Sequence, residues 1–346
     1  MMRRTFRAFV SLSALLAATT VLPGEVRAQQ GTLSVYCGVP EEWCRATFGA
    51  FTRKTGIRIA VTRKSAGEIY AQVKAEATNP RGGVWYGGTG DSHLQAAEEG
   101  LTLEYRSPML PQLHDWATRQ AEQAKFRTVG IFAGALGFGF NTKQFERKGG
   151  PEPRCWSDLL DPRYRNDVQS SDPNASGTAY TLIATMVQLM GEEPAFDYMK
   201  KLHANINQYN RAGGAAARNT GTGETLIGIT FLDDMVAVLV DGAPVKAVAP
   251  CEGTGYQVGS MSIIRGTRNL EFAKTFYDWA LTPEAQVTAA EAKFFHTQSN
   301  RNTPAPPQAP KLDVKLIDYD FAKYGAANER RRLLARWDAE IKPLPR

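Results

Sequence analysis

Residues 170–180 read SSDPNASGTAY, and the rest of the chain can be placed relative to this stretch. The Asp-Pro-Asn segment at 172–174 is typical of a turn, because Pro fixes φ and Asn tolerates the backbone conformations that turns need. Ser176 then stands where a helix N-cap is expected. The mostly apolar residues at 182–190 predict that the helix behind it is buried.

The start of this helix is a candidate anion site. The first N–H groups of a helix have no partner within the helix, and the helix dipole places partial positive charge there. Gly177 lets an anion approach the backbone, and the hydroxyls of Ser176 and Thr178 add donors. Taken alone, the segment fits an ordinary capped surface helix equally well. Similar loops elsewhere in the chain favour the anion site.

The first 28 residues have the composition of a cleaved export signal. Three Arg among the first seven residues precede an apolar stretch at 8–22, and small residues near Ala28 suit a cleavage site. The apolar stretch is short for a membrane span, so a retained anchor is the less favoured alternative. We expect export to the periplasm with cleavage near Ala28.

Charge and length restrict the class of protein. The 346 residues carry a net charge of +6, of which the four Arg and one Glu in residues 1–28 account for +3. The remaining basic residues are scattered and form no stripe of the kind that nucleic-acid binding requires. We therefore expect no nucleic-acid partner, and the length favours two domains.

The four cysteines are predicted to form disulfides. An even number of cysteines in an exported protein favours disulfides, and three pairings are possible. We favour Cys37–Cys44, which closes a short loop, and Cys155–Cys251, which ties the two ends of a second domain. The alternative, a metal site, fits less well because the spacing matches no zinc pattern and no His lies nearby. No metal or other cofactor is expected.

The N-terminal third predicts a parallel sheet wound with helices. Three strand–loop–helix units follow one another, with strands at 32–36, 57–61 and 83–86. The loops at 36–40, 64–67 and 87–91 carry small, hydroxyl or glycine residues before a helix, and Ser65 with Glu68 forms a capping-box pattern. Such sheets bind ligands beyond the carboxyl ends of their strands, where these loops lie.

A glycine-rich stretch at 129–141 predicts a strand that crosses between two domains. A dinucleotide-binding fingerprint is disfavoured because no G-x-G-x-x-G occurs there. A second αβ unit then extends to about residue 250, and the chain returns through 251–260 to the segment 261–265, which rejoins the first domain. A Pro-rich connector at 303–310 leads to a final helix at 327–341.

Four segments together resemble the periplasmic solute-binding proteins of ABC importers. They read VYCGVPEEWC at 35–44, WYGGTGD at 85–91, DPNASGTAY at 172–180 and APCEGTGY at 249–256. More narrowly, they resemble a cluster labelled ferric-iron-binding, some of whose members bind hexose phosphates or phosphonates. The resemblance implies an α/β, two-lobed fold of type II, in which each lobe is a wound mixed sheet flanked by helices and a hinge joins the lobes. It also implies delivery of a small solute to an inner-membrane ABC permease.

The resemblance also divides the chain. We expect 29–139 with 258–302 to form lobe 1, 140–257 to form lobe 2, and 303–346 to be a C-terminal extension that docks on the body. A monomer is expected.

The resemblance leaves the ligand open. Ferric-iron members typically use a pair of adjacent tyrosines, and none of the 12 tyrosines here adjoins another, so iron is the alternative ligand. Hexose-phosphate members place a His-Asp pair where this chain has Asp233 and Asp234, and an acidic residue at Gln257. Only Asp234 matches. We therefore expect a small anionic solute, of the sugar-phosphate or phosphonate kind.

The predicted ligand-binding residues come from these loops and helix starts. They are Ser65, Gly88, Thr89, Asn174, Ser176, Gly177, Thr178, Arg211, Asp233, Asp234 and Gln257. For three of them a structural role is an open alternative: Arg211 at the surface, Asp233 at a helix start and Gln257 in backbone pairing. No catalytic residue is predicted. An exported two-domain enzyme acting on a phosphorylated substrate is the alternative class, and it is disfavoured because the G-x-S-x-G pattern of a Ser nucleophile is absent.

Overall fold

The computed structural model describes residues 31–306 and 313–345. The predicted export signal at 1–28 lies outside the described residues. Among the helices of the described part, none is both long enough and apolar enough to cross a membrane.

Strands and helices alternate along the chain. Up to residue 148 the elements are β1 (Thr32–Cys37), α1 (Glu41–Thr55), β2 (Arg58–Arg63), α2 (Ala66–Ala75), β3 (Val84–Thr89), α3 (Gly90–Glu98), α4 (Asp115–Gln123), β4 (Val129–Asn141) and α5 (Thr142–Lys148). Beyond it they are β5 (Val168–Ser171), α6 (Gly177–Met190), α7 (Glu192–His203), β6 (Ile206–Asn210), α8 (Gly214–Thr222), β7 (Ile227–Phe231), α9 (Leu232–Val240), β8 (Val245–Val248), β9 (Tyr256–Ile263), α10 (Leu270–Ala280), α11 (Pro283–Glu291), β10 (Thr297–Gln298), α12 (Phe321–Tyr324) and α13 (Ala327–Glu340).

Two sheets meet along β4. In the first, β1 pairs in parallel with β2 and β3, as the strand–loop–helix pattern predicts, and β3 continues antiparallel to β9. In the second, β5 pairs in parallel with β6 and β7. We call the two halves of the molecule built on these sheets lobe 1 and lobe 2.

The strand β4 belongs to both lobes. Its first part, Val129 to Ala135, pairs with β9, and its second part, Leu136 to Phe140, pairs with β7. Its glycines let helix α9 lie directly on the strand, because a Cβ on Gly137 would come 2.4 Å from Leu232 Cδ2. The predicted crossing strand is confirmed. The predicted division of the chain into lobes stays a prediction.

The returning strand starts earlier than predicted. The sequence pattern puts the segment that rejoins the first domain at 261–265, but β9 begins at Tyr256, because its antiparallel ladder with β4 extends as far as Ala135. Gln257 is therefore a strand residue, opposite Gly134 on β4.

The predicted buried helix is α6. Every residue from Gly177 to Val187 is buried, because the lobe 2 sheet covers one side of the helix and α7 and the C-terminal segment cover others. The final helix α13 joins the same core through Leu333, Trp337 and Ile341. Lobe 1 has its own core, which includes Trp43.

Both disulfides have the favoured pairing. Cys37 is bonded to Cys44 with 6.4 Å between their Cα atoms, and Cys155 is bonded to Cys251 with 4.7 Å between theirs. The first closes the turn before α1, and the second joins chain segments 96 residues apart.

Candidate functional site

A cavity of about 560 Å³, counting the space at its mouth, lies between the two lobes. Within the described chain, the N-cap residues of six helices line it: Pro40, Ser65 and Thr89 from lobe 1, and Ser176, Gly213 and Phe231 from lobe 2. These helices begin at the carboxyl ends of strands or in the loops that follow them, so their starts face a common crevice. Helix starts offer unpaired N–H groups and partial positive charge, so the cavity suits an anion.

The starts of α6 and α3 carry hydroxyl groups that are available to a ligand. Ser176 occupies the N-cap position of α6, yet its side chain makes no capping hydrogen bond. Thr89 Oγ1 is buried and has no hydrogen-bond partner among the described residues. Both hydroxyls can therefore donate to a ligand in the cavity.

Two glycines allow these helix starts to touch. A Cβ on Gly177 would lie 1.8 Å from Thr89 Oγ1, and a Cβ on Gly213 would lie 2.1 Å from Thr178 Oγ1. Any side chain at either position would separate the helix starts. The contact between Gly177 and Thr89 joins lobe 2 to lobe 1.

Two guanidinium groups add positive charge. Arg63 at the end of β2 and Arg218 on α8 line the cavity from opposite lobes, and in the described part of the chain neither forms an ion pair. Arg63 Nε donates to the carbonyl oxygen of Val39 at 3.2 Å. Burial, and then the like charge of Arg218, lower the pKa of Arg63. An anion between the two groups would relieve this repulsion.

Another part of the cavity lining is aromatic and polar. The ring centroid of Trp43 lies 4.9 Å from that of Phe132 and 5.2 Å from that of His296. His296 Nδ1 is buried without a partner among the described residues. Asp234 accepts a hydrogen bond from Thr230 Oγ1 at 2.8 Å, and burial raises the pKa of its carboxyl. This wall combines ring faces with acceptors for hydroxyl groups.

Asp233 lies behind this wall. Its Oδ2 is 3.8 Å from His296 Nε2, and it faces Gly134, where a Cβ would come 2.4 Å from the carboxylate. Burial raises the pKa of Asp233 to about 7 and lowers the pKa of His296 to about 4. At neutral pH the imidazole is therefore uncharged, and Asp233 has no cationic partner in His296.

We expect Asp233→Asn to stabilise the protein more at pH 8 than at pH 5. A carboxyl whose pKa is about 3.9 in the unfolded chain and about 7 in the folded protein opposes folding when it must be ionised, so its cost grows as the pH rises from about 3.9 to about 7 and is constant above that. His296 is neutral in the folded protein down to about pH 4 but is protonated in the unfolded chain below about pH 6.5, so it adds a slope of the opposite sign. Both proteins carry His296, so this slope cancels from the difference between them. Thermal unfolding midpoints of both proteins at pH 5 and 8 check this. Asp241→Asn, at the exposed end of α9, is the control, and an equal gain at both pH values would contradict the assignment.

Most of the predicted residues come together in the cavity. Those that line it are Ser65, Gly88, Thr89, Ser176, Gly177, Thr178, Asp234 and Gln257. Three do not line it. Asn174 is exposed and its amide donates to Asp338 Oδ1 at 2.9 Å, Arg211 is paired with Glu68 with 81% of its side chain exposed, and Asp233 lies behind the wall.

Sequence reasoning missed several lining residues. The most important are Arg63, Arg218, Trp43, His296 and Gly214. Arg63 had a usable signal, because it stands two residues beyond the strand predicted at 57–61 and two residues before Ser65. Arg218 and His296 had none, because only the packing of α8 and of the segment before β10 turns them towards the cavity.

Comparison with known proteins agrees with this geometry. The family described as bacterial extracellular solute-binding protein matches residues 88–324. An uncharacterised protein of Haemophilus influenzae is 42% identical over 340 residues, which span 96% of this chain and 98% of that protein.

Two solved structures share the fold. The periplasmic binding protein AfuA of Actinobacillus pleuropneumoniae, solved with fructose-6-phosphate bound, is 43% identical with a TM-score of 0.88 over 91% of this chain and 99% of its own. The periplasmic binding protein P5PA is 36% identical with a TM-score of 0.87 over 90% of this chain and 100% of its own. They confirm the predicted two-lobed α/β fold, and the chain belongs to the family of bacterial extracellular solute-binding proteins.

Proposed function

We propose that the protein captures a small phosphorylated solute between its lobes in the periplasm and delivers it, as a monomer, to an ABC permease of the inner membrane. The observation that carries this proposal is the meeting of six helix starts and two guanidinium groups at one cavity. Hydrogen bonds to a charged group contribute about 1.5–3 kcal/mol each, so a few of them offset the cost of closing the lobes and give micromolar or tighter binding.

The phosphate group is assigned to the end of the cavity formed by Ser176, Gly177 and Thr178. We assign to the same phosphate the hydroxyls of Thr89 and Ser65 and the guanidinium groups of Arg63 and Arg218, all of which belong to residues that line the cavity. A phosphate dianion brings acceptor oxygens, which match a wall made of donors.

The solute is further proposed to be a sugar phosphate. The wall formed by Trp43, Phe132 and His296 offers ring faces, and Asp234 and Gln257 offer hydrogen-bond acceptors for hydroxyl groups. AfuA, which was solved with fructose-6-phosphate, supports the same class of ligand. Phosphonates lack a series of hydroxyl groups, so they would leave the hydrogen-bond acceptors Asp234 and Gln257 partly unused.

Ferric iron is the less favoured ligand. Hard phenolate oxygens suit Fe(III), but among the described residues no tyrosine lines the cavity. The two guanidinium groups would also repel a bare cation.

A thermal-shift screen with native mass spectrometry tests the proposal. The probes are fructose 6-phosphate, glucose 6-phosphate, 2-aminoethylphosphonate, inorganic phosphate, fructose and ferric citrate. We expect a hexose phosphate to raise the unfolding midpoint most, because a ligand that binds only the folded state stabilises it. A shift by ferric citrate alone would overturn the ligand class, and steady turnover of a phosphorylated probe would overturn the receptor function.

The double variant Ser176→Ala with Thr178→Ala should lose at least tenfold in affinity for the best probe. Two donors to the phosphate are removed, and each charge-assisted bond is worth about 1.5–3 kcal/mol. Isothermal titration calorimetry measures the change. Thr181→Ala, one turn further along α6 and outside the cavity, is the control. Unchanged affinity in the double variant would place the phosphate elsewhere.

A further inference from the structure

The final helix α13 carries a fully buried arginine outside the cavity. Only 2% of the Arg330 side chain is exposed, and its Nη1 donates to Asp91 Oδ2 at 2.5 Å, where the Asp91 side chain is 5% exposed. Arginine and aspartate are almost never buried this far unless they are paired, and burying such a pair costs solvation that the ion pair repays only partly. A buried pair of this kind calls for a reason other than stability.

The same guanidinium also lies against lobe 2. Its carbon Cζ is 4.2 Å from the centroid of the Tyr180 ring, which is the geometry of a cation–π contact. The Tyr180 hydroxyl donates to the carbonyl oxygen of Tyr324 at 2.7 Å, so the ring is held in place. Arg330 therefore has one partner on α3 of lobe 1 and one on α6 of lobe 2.

Both partners lie in the first turn of a helix that begins at the cavity. Asp91 follows the α3 N-cap Thr89 by two residues, and Tyr180 follows the α6 N-cap Ser176 by four. At the cavity itself Gly177 touches Thr89. The two helix starts are thus joined twice, once at the cavity by Gly177 and Thr89, and once behind it through Arg330.

We propose that Arg330 is a positioning residue for ligand capture, which holds the starts of α3 and α6 together so that Thr89 and Ser176 present their donors to one anion. This inference rests on the proposed function for the identity of the anion. Arg330 does not touch the ligand, and it acts through Asp91 and Tyr180. Because α13 is anchored in the lobe 2 core by Leu333 and Trp337, the link also ties the C-terminal helix to lobe 1.

The test compares Arg330→Met with two further variants and one control. Asp91→Asn keeps the shape of the partner but removes its charge, and Arg330→Lys keeps the charge but loses the flat group that stacks on Tyr180. Leu333→Ala is the control, because it weakens the anchoring of the same helix inside lobe 2 without touching the link. All four are measured well below their unfolding midpoints.

Two readouts are needed. The first is the affinity for fructose 6-phosphate, which we expect to fall at least tenfold in Arg330→Met and several-fold in Asp91→Asn and Arg330→Lys, while Leu333→Ala stays within twofold of the wild type. The second readout needs no ligand. Hydrogen exchange at the first hydrogen-bonded backbone N–H groups of α3 and α6, such as that of Tyr180, which donates to the Ser176 carbonyl oxygen at 3.3 Å, should speed up in Arg330→Met and not in Leu333→Ala.

The outcomes separate the two proposals. If Arg330→Met binds within twofold of the wild type, or if exchange at both helix starts is unchanged, Arg330 has no positioning role. If affinity falls equally in Arg330→Met and Leu333→Ala, the role is structural only, which also overturns the inference. If the wild type binds none of the phosphorylated probes, the proposed function fails, and the exchange experiment still decides on Arg330.

Discussion

Gly177→Ala is expected to lower ligand affinity at least a hundredfold while both lobes stay folded. The added Cβ would lie 1.8 Å from Thr89 Oγ1 and 2.8 Å from Thr89 Cβ, which are distances that no packed structure tolerates. Thr89 belongs to the other lobe, so the clash can be relieved by moving the lobes apart. The methyl group would also cover backbone N–H groups at the start of α6 that an anion needs.

Calorimetric titration with the best phosphorylated probe, together with the unfolding midpoint of the ligand-free protein, checks this expectation. Gly49→Ala is the matched control, because Gly49 lies within α1 and its Cβ would meet only the far end of the Arg53 side chain, at 3.3 Å. Alanine is also the better helix former, so this control should be neutral or slightly stabilising. If Gly177→Ala bound as tightly as the control, the contact between the two helix starts would not be part of the closed state.

Arg63→Met and Arg218→Met are each expected to weaken binding roughly 10- to 100-fold, and the double variant more. Each change removes one charged donor from the anion end of the cavity, and such a bond is worth about 1.5–3 kcal/mol. The dependence of affinity on salt concentration should fall as well, because fewer charges then act on the ligand. Arg58→Met removes the same charge from the exposed start of β2 and is the control.

Affinities of the arginine variants and the wild type, measured at low and high salt concentration, test this prediction. A neutral probe such as fructose should bind the wild type and the Arg63→Met variant with equal, weak affinity. If both arginine variants bind fructose 6-phosphate like the Arg58→Met control, the positive charge at the cavity does not hold the phosphate.

The parts of the fold that depend on local chain properties were predictable. The glycines of β4 and the buried helix behind Ser176 were both placed correctly, because turn residues, apolar periodicity and glycine spacing are visible in short segments. The start of β9 was not, because its ladder depends on how far a distant strand extends.

The site residues divide in the same way, because local sequence marks some of them and only tertiary packing brings in the others. Helix starts such as Ser65, Thr89 and Ser176 were found because cap residues and loop glycines mark them in the sequence. Asp233 and Asp234 were predicted as a pair, yet successive residues on a helix point about 100° apart, so only Asp234 lines the cavity. Arg218 and His296 come from separate elements, and tertiary packing alone brings them to the site.

The ladder along β4 has a mechanical consequence. The backbone N–H of Leu136 donates to the carbonyl oxygen of Gly255 at 2.9 Å, and Ala135 lies opposite Tyr256, so the chain is still hydrogen bonded where it passes from one sheet to the other. A hinge made of paired strands bends elastically, and it rotates less freely than a linker without hydrogen bonds would. The ligand-free protein is therefore expected to sample a narrow range of angles between its lobes. The paired strands oppose bending, so the lobes return to the same relative orientation after each release of the ligand.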